Sequence, residues 1–399
     1  MFAMKILVVC QFYYPENFVI TRIAEKLVEY GHDVTVLTGK PNYGYGYILP
    51  GYQTIDSEMI NGVKVERVNL KPRKQSRKSI IDNYLSFWRN SKRWVRKCKT
   101  KFDVVYSMSL SPVTILSAGN LYKKKFGVPH IVHCVDLWPE SVLVTNAVKK
   151  KSLMYKVLYR WSKKLYAKAD KVLIGSPAFE KYFQDVLKLK NLELSFVPQP
   201  SMVEDSALEP FPFDKKYFNI LYCGNLGIIQ HIPLLVEAMH QLKGSHVRMN
   251  VIGMGPMSGY LDSKIKEYGL QENLINYGPM PAAQASAYFK GADALYVPLK
   301  SEGYVGKTIP NKLMMSMAFG KPIVAMLQGD GKEILIESDG AVFSDQSYQS
   351  LVSAIKTLTS LSNRELNRLG QNNLAYYKNN FTIDIVTHQI EAELMNKCR

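Results

Sequence analysis

Short β-branched runs alternate with helix-period segments along this 399-residue chain, and that alternation restricts the fold more than any other feature. MKILVVC (4–10) reads as a strand, 17–31 as a helix with apolar spacing near 3.6, and DVTVLT (33–38) as a second strand. Strands follow at 102–108, 129–135, 171–176 and near 194–197, with a helix over 112–126. The pattern restarts with strands at 218–224, 248–255, 274–278, 292–299 and 321–326, and helices near 231–242, 282–290 and 310–319. Such succession implies right-handed crossovers and parallel sheets covered on both faces. Between the two runs, VPQPSMVEDSALEPFPFDKK (197–216) holds four prolines and little apolar periodicity, which marks a linker. The expected fold class is therefore α/β: two Rossmann-like doubly wound parallel-sheet domains, facing each other across a ligand cleft at the carboxyl ends of their strands. The domains span 1–198 and 217–380, and residues 199–216 join them.

Composition narrows the function classes. No apolar run approaches the roughly 18 residues of a membrane-crossing helix, and the start reads as a first strand rather than a signal peptide. The five cysteines (10, 98, 134, 223 and 398) form no C-x-x-C pair, which argues against a zinc site or disulfide framework and suits a reducing cytoplasm. Charge is lopsided. Residues 1–200 carry 33 Lys and Arg against 15 Asp and Glu, whereas the remainder carries 18 against 19, so the whole excess of +17 sits in the first half. That half is expected to face a polyanion. The basic stretch 71–101 has Ile81, Tyr84, Leu85, Trp88 and Val95 on one helical face, with Phe87 and Trp94 nearer the polar side. It suits an amphipathic helix on an anionic membrane surface, and equally a core-facing helix with a solvated basic face. No nucleic-acid reading module accompanies the charge, and no nucleic acid is expected as a partner.

Three glycine-containing strand ends in the second half suit a nucleotide. GNLGIIQH (224–231) places Gly224 and Gly227 where a ligand approaches the backbone, with Asn225, Gln230 and His231 beside them. Gly253 opens GMGP (253–256), which has the wrong spacing for a dinucleotide fingerprint. EGYVGKTIPNKLMMSMAFGKPIVAM (302–326) follows a strand and opens a helix at Pro310 and Asn311. Its unpaired N–H groups suit a diphosphate, Lys307 and Lys312 add charge, and Thr308 adds a polar contact; an ordinary helix start with solvated lysines would read the same. In the first half, Glu16 and Asn17 follow strand one, and Asp136, Trp138 and Glu140 follow the strand at 129–135. Acids at strand ends are candidate acceptor ligands or proton-transfer groups, although Asp136 and Glu140 also suit helix caps. His133, inside an apolar strand, reads as structural. No Asp-x-Asp, Walker-A loop or Gly-x-Ser-x-Gly occurs, so no metal ligand and no cofactor is expected and diphosphate charge falls to lysines and helix ends.

Over nearly its whole length the chain resembles the retaining glycosyltransferases of the GT-B fold, glycosyltransferase family 4-like, in the bacterial branch that builds O-antigen, capsule and colanic-acid-type polysaccharides. The carriers are YYPENF (13–18), GHDVTVLTGKPNYGYGYILPGY (31–52), SPVT (111–114), DLWPES (136–141), GNLG (224–227) and KTIPNKLMMSMAFGKPIVA (307–325). The resemblance implies a nucleotide-sugar donor on the second domain and a lipid-linked glycan acceptor on the first. It implies a C-terminal helix over 381–399 crossing back to the first domain, and a cytoplasmic location on the inner face of the cell membrane. Donor contacts fall to Gly224, Asn225, Gly227, Gln230, His231, Gly253, Lys307, Thr308, Pro310, Asn311 and Lys312, and acceptor contacts to Glu16, Asn17, Trp138 and Glu140. Asp136 and Glu302 are the candidate catalytic residues. Transfer would be metal-independent and retaining, a front-side displacement in which the leaving diphosphate helps deprotonate the acceptor. A hexose or N-acetylhexosamine-type sugar from UDP, onto a polyprenyl-diphosphate-linked glycan, is the preferred reading, with GDP open. Where the wider family has a Glu, seven residues and a second Glu, this chain has Lys307 and Met315. Glu302 is displaced by five residues from the first of these positions. The family's Arg and Lys after the first strand of the second domain are replaced by Asn225 and the Gln230–His231 pair. These departures keep open a non-catalytic partner subunit or chaperone of an active transferase; a nucleotide-sugar 2-epimerase would need an acid–base set the sequence does not offer.

Overall fold

The computed structural model describes residues 3–74, 76–144, 148–201 and 207–398; Gln75 of the basic stretch and residues 202–206 of the expected linker lie outside them. The chain divides into two compact units, Met1–Pro200 with Ile383–Arg399, and Ser201–Thr382.

Unit 1 is built on β1 (Lys5–Val9), β2 (Asp33–Gly39), β3 (Ser57–Ile60), β4 (Val63–Val68), β5 (Val104–Ser109), β6 (His130–Cys134), β7 (Lys171–Ile174) and β8 (Leu194–Phe196). Their order is β3-β4-β2-β1-β5-β6-β7-β8, parallel throughout except for the β3–β4 hairpin. The strand order reverses between β1 and β5, so the carboxyl ends of these neighbours flank a natural ligand crevice. The hairpin lies outside the sequence expectation because its strands are short and half-polar, with exposed positions alternating along Ser57–Ile60. Helix Arg77–Lys97 buries Asn83, Phe87, Ser91 and Val95, spaced four apart. Phe87 and Val95 join Leu7, Val9, Leu37 and Val105 in the core. The core-facing stripe is thus rotated from the sequence expectation: Phe87 is fully buried and Ile81 is 52% exposed. Polar Asn83 and Ser91 complete that stripe because each has an internal partner, Asn83 through Gln11 and Ser91 through the Phe87 carbonyl. Helix Ile383–Cys398 packs within the same unit. His32 fixes it: Nδ1 accepts the Met4 N–H at 3.2 Å, so Nε2–H donates to Glu391 at 2.9 Å. Tyr30 stacks on His388 at 4.2 Å.

Unit 2 holds β9 (Phe218–Cys223), β10 (Val247–Ile252), β11 (Leu274–Asn276), β12 (Ala294–Pro298), β13 (Ile323–Met326) and β14 (Ala341–Phe343). The order β11-β10-β9-β12-β13-β14 is all parallel and reverses between β9 and β12. Alternation explains why both faces are covered. Ile220, Tyr222, Ala294, Tyr296, Val324 and Met326 enter one core, while Leu221, Leu295, Val297, Ile323 and Ala325 enter the other.

Candidate functional site

In unit 2 the sequence-selected residues converge at the carboxyl ends of β9, β10 and β12. The Gly224 N–H bonds to the Ile252 carbonyl, the Leu226 N–H to the Met254 carbonyl, and the Lys300 N–H to the Ile229 carbonyl, lacing three strand ends together. The glycines are required by contact. Gly253 has φ of 142°, and a Cβ there would lie 1.9 Å from the Gly224 carbonyl oxygen. A Cβ at Gly255 would lie 2.5 Å from the Leu226 carbonyl oxygen. The Gly227 N–H donates to Gln230 Oε1 at 3.1 Å, so Gln230 shapes the turn.

Lys312 stands in the first turn of helix Asn311–Ala318, and its ammonium donates to the Tyr222 hydroxyl at 3.0 Å. Tyr222 in turn donates to the Asn225 carbonyl at 2.6 Å. A Cβ on Gly224 would meet Lys312 Nζ at 3.4 Å, which puts the cation at the glycine turn itself. No carboxylate pairs with Lys312 among the described residues, and burial lowers its pKa to about 8 against a smaller opposing effect of Cys223. Cys223, pushed up by burial to about 11, stays a thiol at neutral pH. A half-buried ammonium with one neutral partner, in the first turn of a helix, is a site prepared for an anion. Pro310 is extended and precedes the helix, and Asn311 and Lys307 are exposed. Thr308 Oγ1 is spent on the Val305 carbonyl at 2.9 Å. His231 has left-handed backbone (φ 51°) and a buried Nε2 with no partner among the described residues; burial lowers its pKa. Glu302 is exposed and pairs with Lys300. Met315 packs on the core, so neither position of the expected Glu pair presents a carboxylate.

Unit 1 gathers its candidates at the ends of β1 and β6. Asp136 follows β6, its N–H bonded to the Ser109 carbonyl at the end of neighbouring β5. Its carboxyl has no partner among the described residues, and burial alone raises its pKa to about 6. It does not cap the following helix. The other acids are committed. Glu140 accepts from the Tyr155 hydroxyl at 2.6 Å, and Glu16 Oε1 accepts the backbone N–H groups of Asn42 at 2.6 Å and Tyr43 at 2.5 Å. Trp138 is buried, its indole N–H donating to Ser111 Oγ at 2.8 Å, and Asn17 is exposed. His133 is structural: Nδ1 meets the Tyr106 hydroxyl at 2.8 Å and Nε2 the Val197 carbonyl at 2.9 Å, so one nitrogen donates and one accepts. Sequence reasoning missed Tyr222, because a tyrosine inside a strand gives no signal of its own until Lys312 is seen against it. Among the described residues no three His, Cys, Asp or Glu side chains gather as a metal would need, and no helix is long and apolar enough to cross a membrane.

Residues 17–199 match the glycosyl transferase 4-like domain family and residues 217–360 match glycosyl transferases group 1. The probable glycosyltransferase WbjE of Pseudomonas aeruginosa is 26% identical over 58% of this chain and 59% of its own length. The amylovoran biosynthesis glycosyltransferase AmsD of Erwinia amylovora is 23% identical over 70% of this chain and 76% of its own. Among solved structures, Anabaena HepE in complex with UDP and glucose superposes with a TM-score of 0.69 at 15% identity, covering 98% of this chain and 99% of that one. At that identity the likeness concerns the fold. With both halves matched in order and each unit a Rossmann-like sheet, the chain belongs to the GT-B-fold glycosyltransferases, a glycosyl transferase 4-like domain followed by a group 1 domain.

Proposed function

We propose that the chain transfers a hexose or N-acetylhexosamine-type sugar from a nucleoside diphosphate, with UDP preferred, to a polyprenyl-diphosphate-linked glycan in the assembly of a surface polysaccharide. The observation that carries the reading is Lys312: a cation without a carboxylate partner among the described residues, held by Tyr222 at the glycine turn and at a helix start. The diphosphate is met by that ammonium and the N–H groups of the helix, which is why the reading needs no metal. Asn225, Gly227, Gln230 and Gly253 shape the wall against which the nucleotide lies. His231, at the end of the same turn, and the Lys300–Glu302 pair are assigned to the sugar side. UDP and glucose in the HepE structure, and the polysaccharide named for AmsD, support the donor and product classes.

Asp136 in unit 1 is assigned to the acceptor hydroxyl, which it polarises while the departing diphosphate takes the proton, with retention of configuration. Glu16, Trp138 and Glu140 hold the acceptor loops in place through their internal bonds, leaving Asn17 free for direct contact. Membrane contact is assigned to the basic stretch and to a second helix, Leu153–Tyr166, which touches it through Trp88 and Trp161 at 5.7 Å. Ile81 and Leu153 (77% exposed), with Met154 and Val157, face solvent among lysines and arginines. That is the composition of a surface resting on an anionic leaflet. Incubation with labelled UDP-, GDP- and dTDP-sugars and a polyprenyl-diphosphate-linked acceptor tests the assignment. Label should enter the lipid fraction in the presence of EDTA, and the new linkage should keep the donor's anomeric configuration. The absent Glu pair favours one competing reading, a non-catalytic partner subunit; inertness alone with activity restored by a co-purified homologue would establish it instead.

A further inference from the structure

Five aromatic side chains are strongly exposed among the described residues, and three of them, Tyr43, Tyr45 and Tyr47, lie on the loop that leaves the carboxyl end of β2. Tyr45 and Tyr47 are 50% and 54% exposed, with ring centroids 6.1 Å apart. A ring left partly in water forgoes burial, so three on one short loop need a reason.

The loop is built rather than loose. Glu16 clamps its start through the two N–H bonds described above, and the Leu49 N–H closes it on the Pro41 carbonyl at 3.0 Å. Buried Asn42 accepts from the Arg73 N–H at 2.9 Å and from Asn83 at 3.0 Å. Tyr43 is seated on Phe12 and Phe18, at 4.9 and 5.2 Å, with the Arg73 guanidinium 5.0 Å over its ring. Gly44 and Gly46 have φ of 82° and 80°, yet nothing lies within 4 Å of a Cβ on Gly44 and only Lys74 does on Gly46. Backbone conformation, not space, requires these glycines: left-handed residues alternate with tyrosines and set the direction of each ring.

The ligand class follows from what surrounds the rings. Lys40 is occupied by Asp56 and the Gln53 carbonyl, and Arg67 by Glu58. Arg73 is turned onto the Tyr43 and Tyr84 rings and Lys74 remains at the rim, a small charge for an anionic bilayer, which is held by clusters of cations. Rigid aromatic faces edged by hydroxyls suit a ligand with a flat C–H face and a hydroxyl rim. We propose that Tyr45 and Tyr47, on a loop anchored by Tyr43, form a stacking platform for pyranose rings of the acceptor glycan. This rests on the transferase reading and names where unit 1 holds the sugar part of its acceptor.

Saturation-transfer NMR of the full chain with methyl gluco-, galacto-, manno- and N-acetylglucosaminopyranosides tests it, with UDP in the same tube. At least one pyranoside should show transfer to the C–H protons of one ring face. The Tyr45→Ala/Tyr47→Ala variant should weaken it about tenfold, with the Phe/Phe variant close to wild type and the UDP signal unchanged. Because the rings are exposed, the thermal midpoint should not move. Absence of signal from every pyranoside, or its persistence in the Ala/Ala variant, overturns the platform; loss of the UDP signal in wild type overturns the transferase reading instead. Reduced binding of the Ala/Ala variant to phosphatidylglycerol vesicles, with sugar signals intact, assigns the rings to membrane contact and also overturns the proposal.

Discussion

Replacing Asp136 by Asn should make the protein more stable at neutral pH and much less active. The folded carboxyl has a pKa of about 6 against an ordinary 3.8, and burial is the whole cause. A tenfold change in proton affinity corresponds to about 1.4 kcal/mol, so ionising this group in the folded state costs at most about 3 kcal/mol relative to the unfolded chain. The residue as a whole is only half-buried, and solvent screening brings the expected figure to about 1–2 kcal/mol. The sign follows from linkage: the folded pKa lies above the unfolded one, so the folded state binds the proton more tightly. Well below pH 3.8 both states are protonated and Asp136 costs nothing; the cost builds up as pH rises from 3.8 to about 6 and is constant above that. Denaturant titrations of wild type and Asp136→Asn across this range should show curves that coincide at the acid end, separate between pH 3.8 and about 6 and run parallel above it, the variant being the more stable. Transfer activity should fall roughly 100-fold, as for loss of a group that orients and polarises the acceptor hydroxyl. A gap that does not change with pH, or a variant less stable at neutral pH, would refute the burial argument.

Four further outcomes are expected. Nucleoside diphosphate affinity should weaken as pH rises through about 8, where Lys312 loses its proton, and this pH dependence should vanish in Lys312→Ala; calorimetry on either side of that pH checks it. Gly253→Ala forces a Cβ to within 1.9 Å of the Gly224 carbonyl oxygen. It should cost about 3 kcal/mol or more, lowering the melting midpoint by roughly 6–12 °C and abolishing nucleotide binding. Phe87→Ala should cost about 3–5 kcal/mol as a core cavity, read by denaturant titration, whereas Ile81→Asp with Leu153→Asp should leave the melting point near wild type while reducing sedimentation with anionic vesicles about fivefold.

Period and punctuation made the parallel strands of both units legible, since Ile220 to Cys223 or Leu295 to Pro298 can only be buried on both faces. The helix Arg77–Lys97 was legible as a helix but not in its rotation. Polar Asn83 and Ser91 occupy the core stripe because Gln11 and the Phe87 carbonyl satisfy them, and a sequence does not show such partners. The donor-side glycines were read from their place after strands; their necessity lies in contacts such as Gly253 against Gly224, made between distant segments. Glu16 carries the general lesson for acids at strand ends. Its position suggested a ligand contact, while its carboxylate clamps the Asn42–Tyr43 backbone, a partner 26 residues away. The exposure of Tyr43, Tyr45 and Tyr47 is not legible in the sequence, because it depends on that clamp.

A thermal-shift panel of UDP, GDP, dTDP and CMP, in EDTA, on wild type and Lys312→Ala tests the donor site of unit 2 most directly. One nucleoside diphosphate should raise the wild-type midpoint by a few degrees at saturating ligand, in proportion to RT ln(1 + [L]/Kd). The shift should largely disappear in the variant. Equal shifts in both proteins would remove Lys312 from the donor site, and no shift with any nucleotide would contradict a donor site in unit 2.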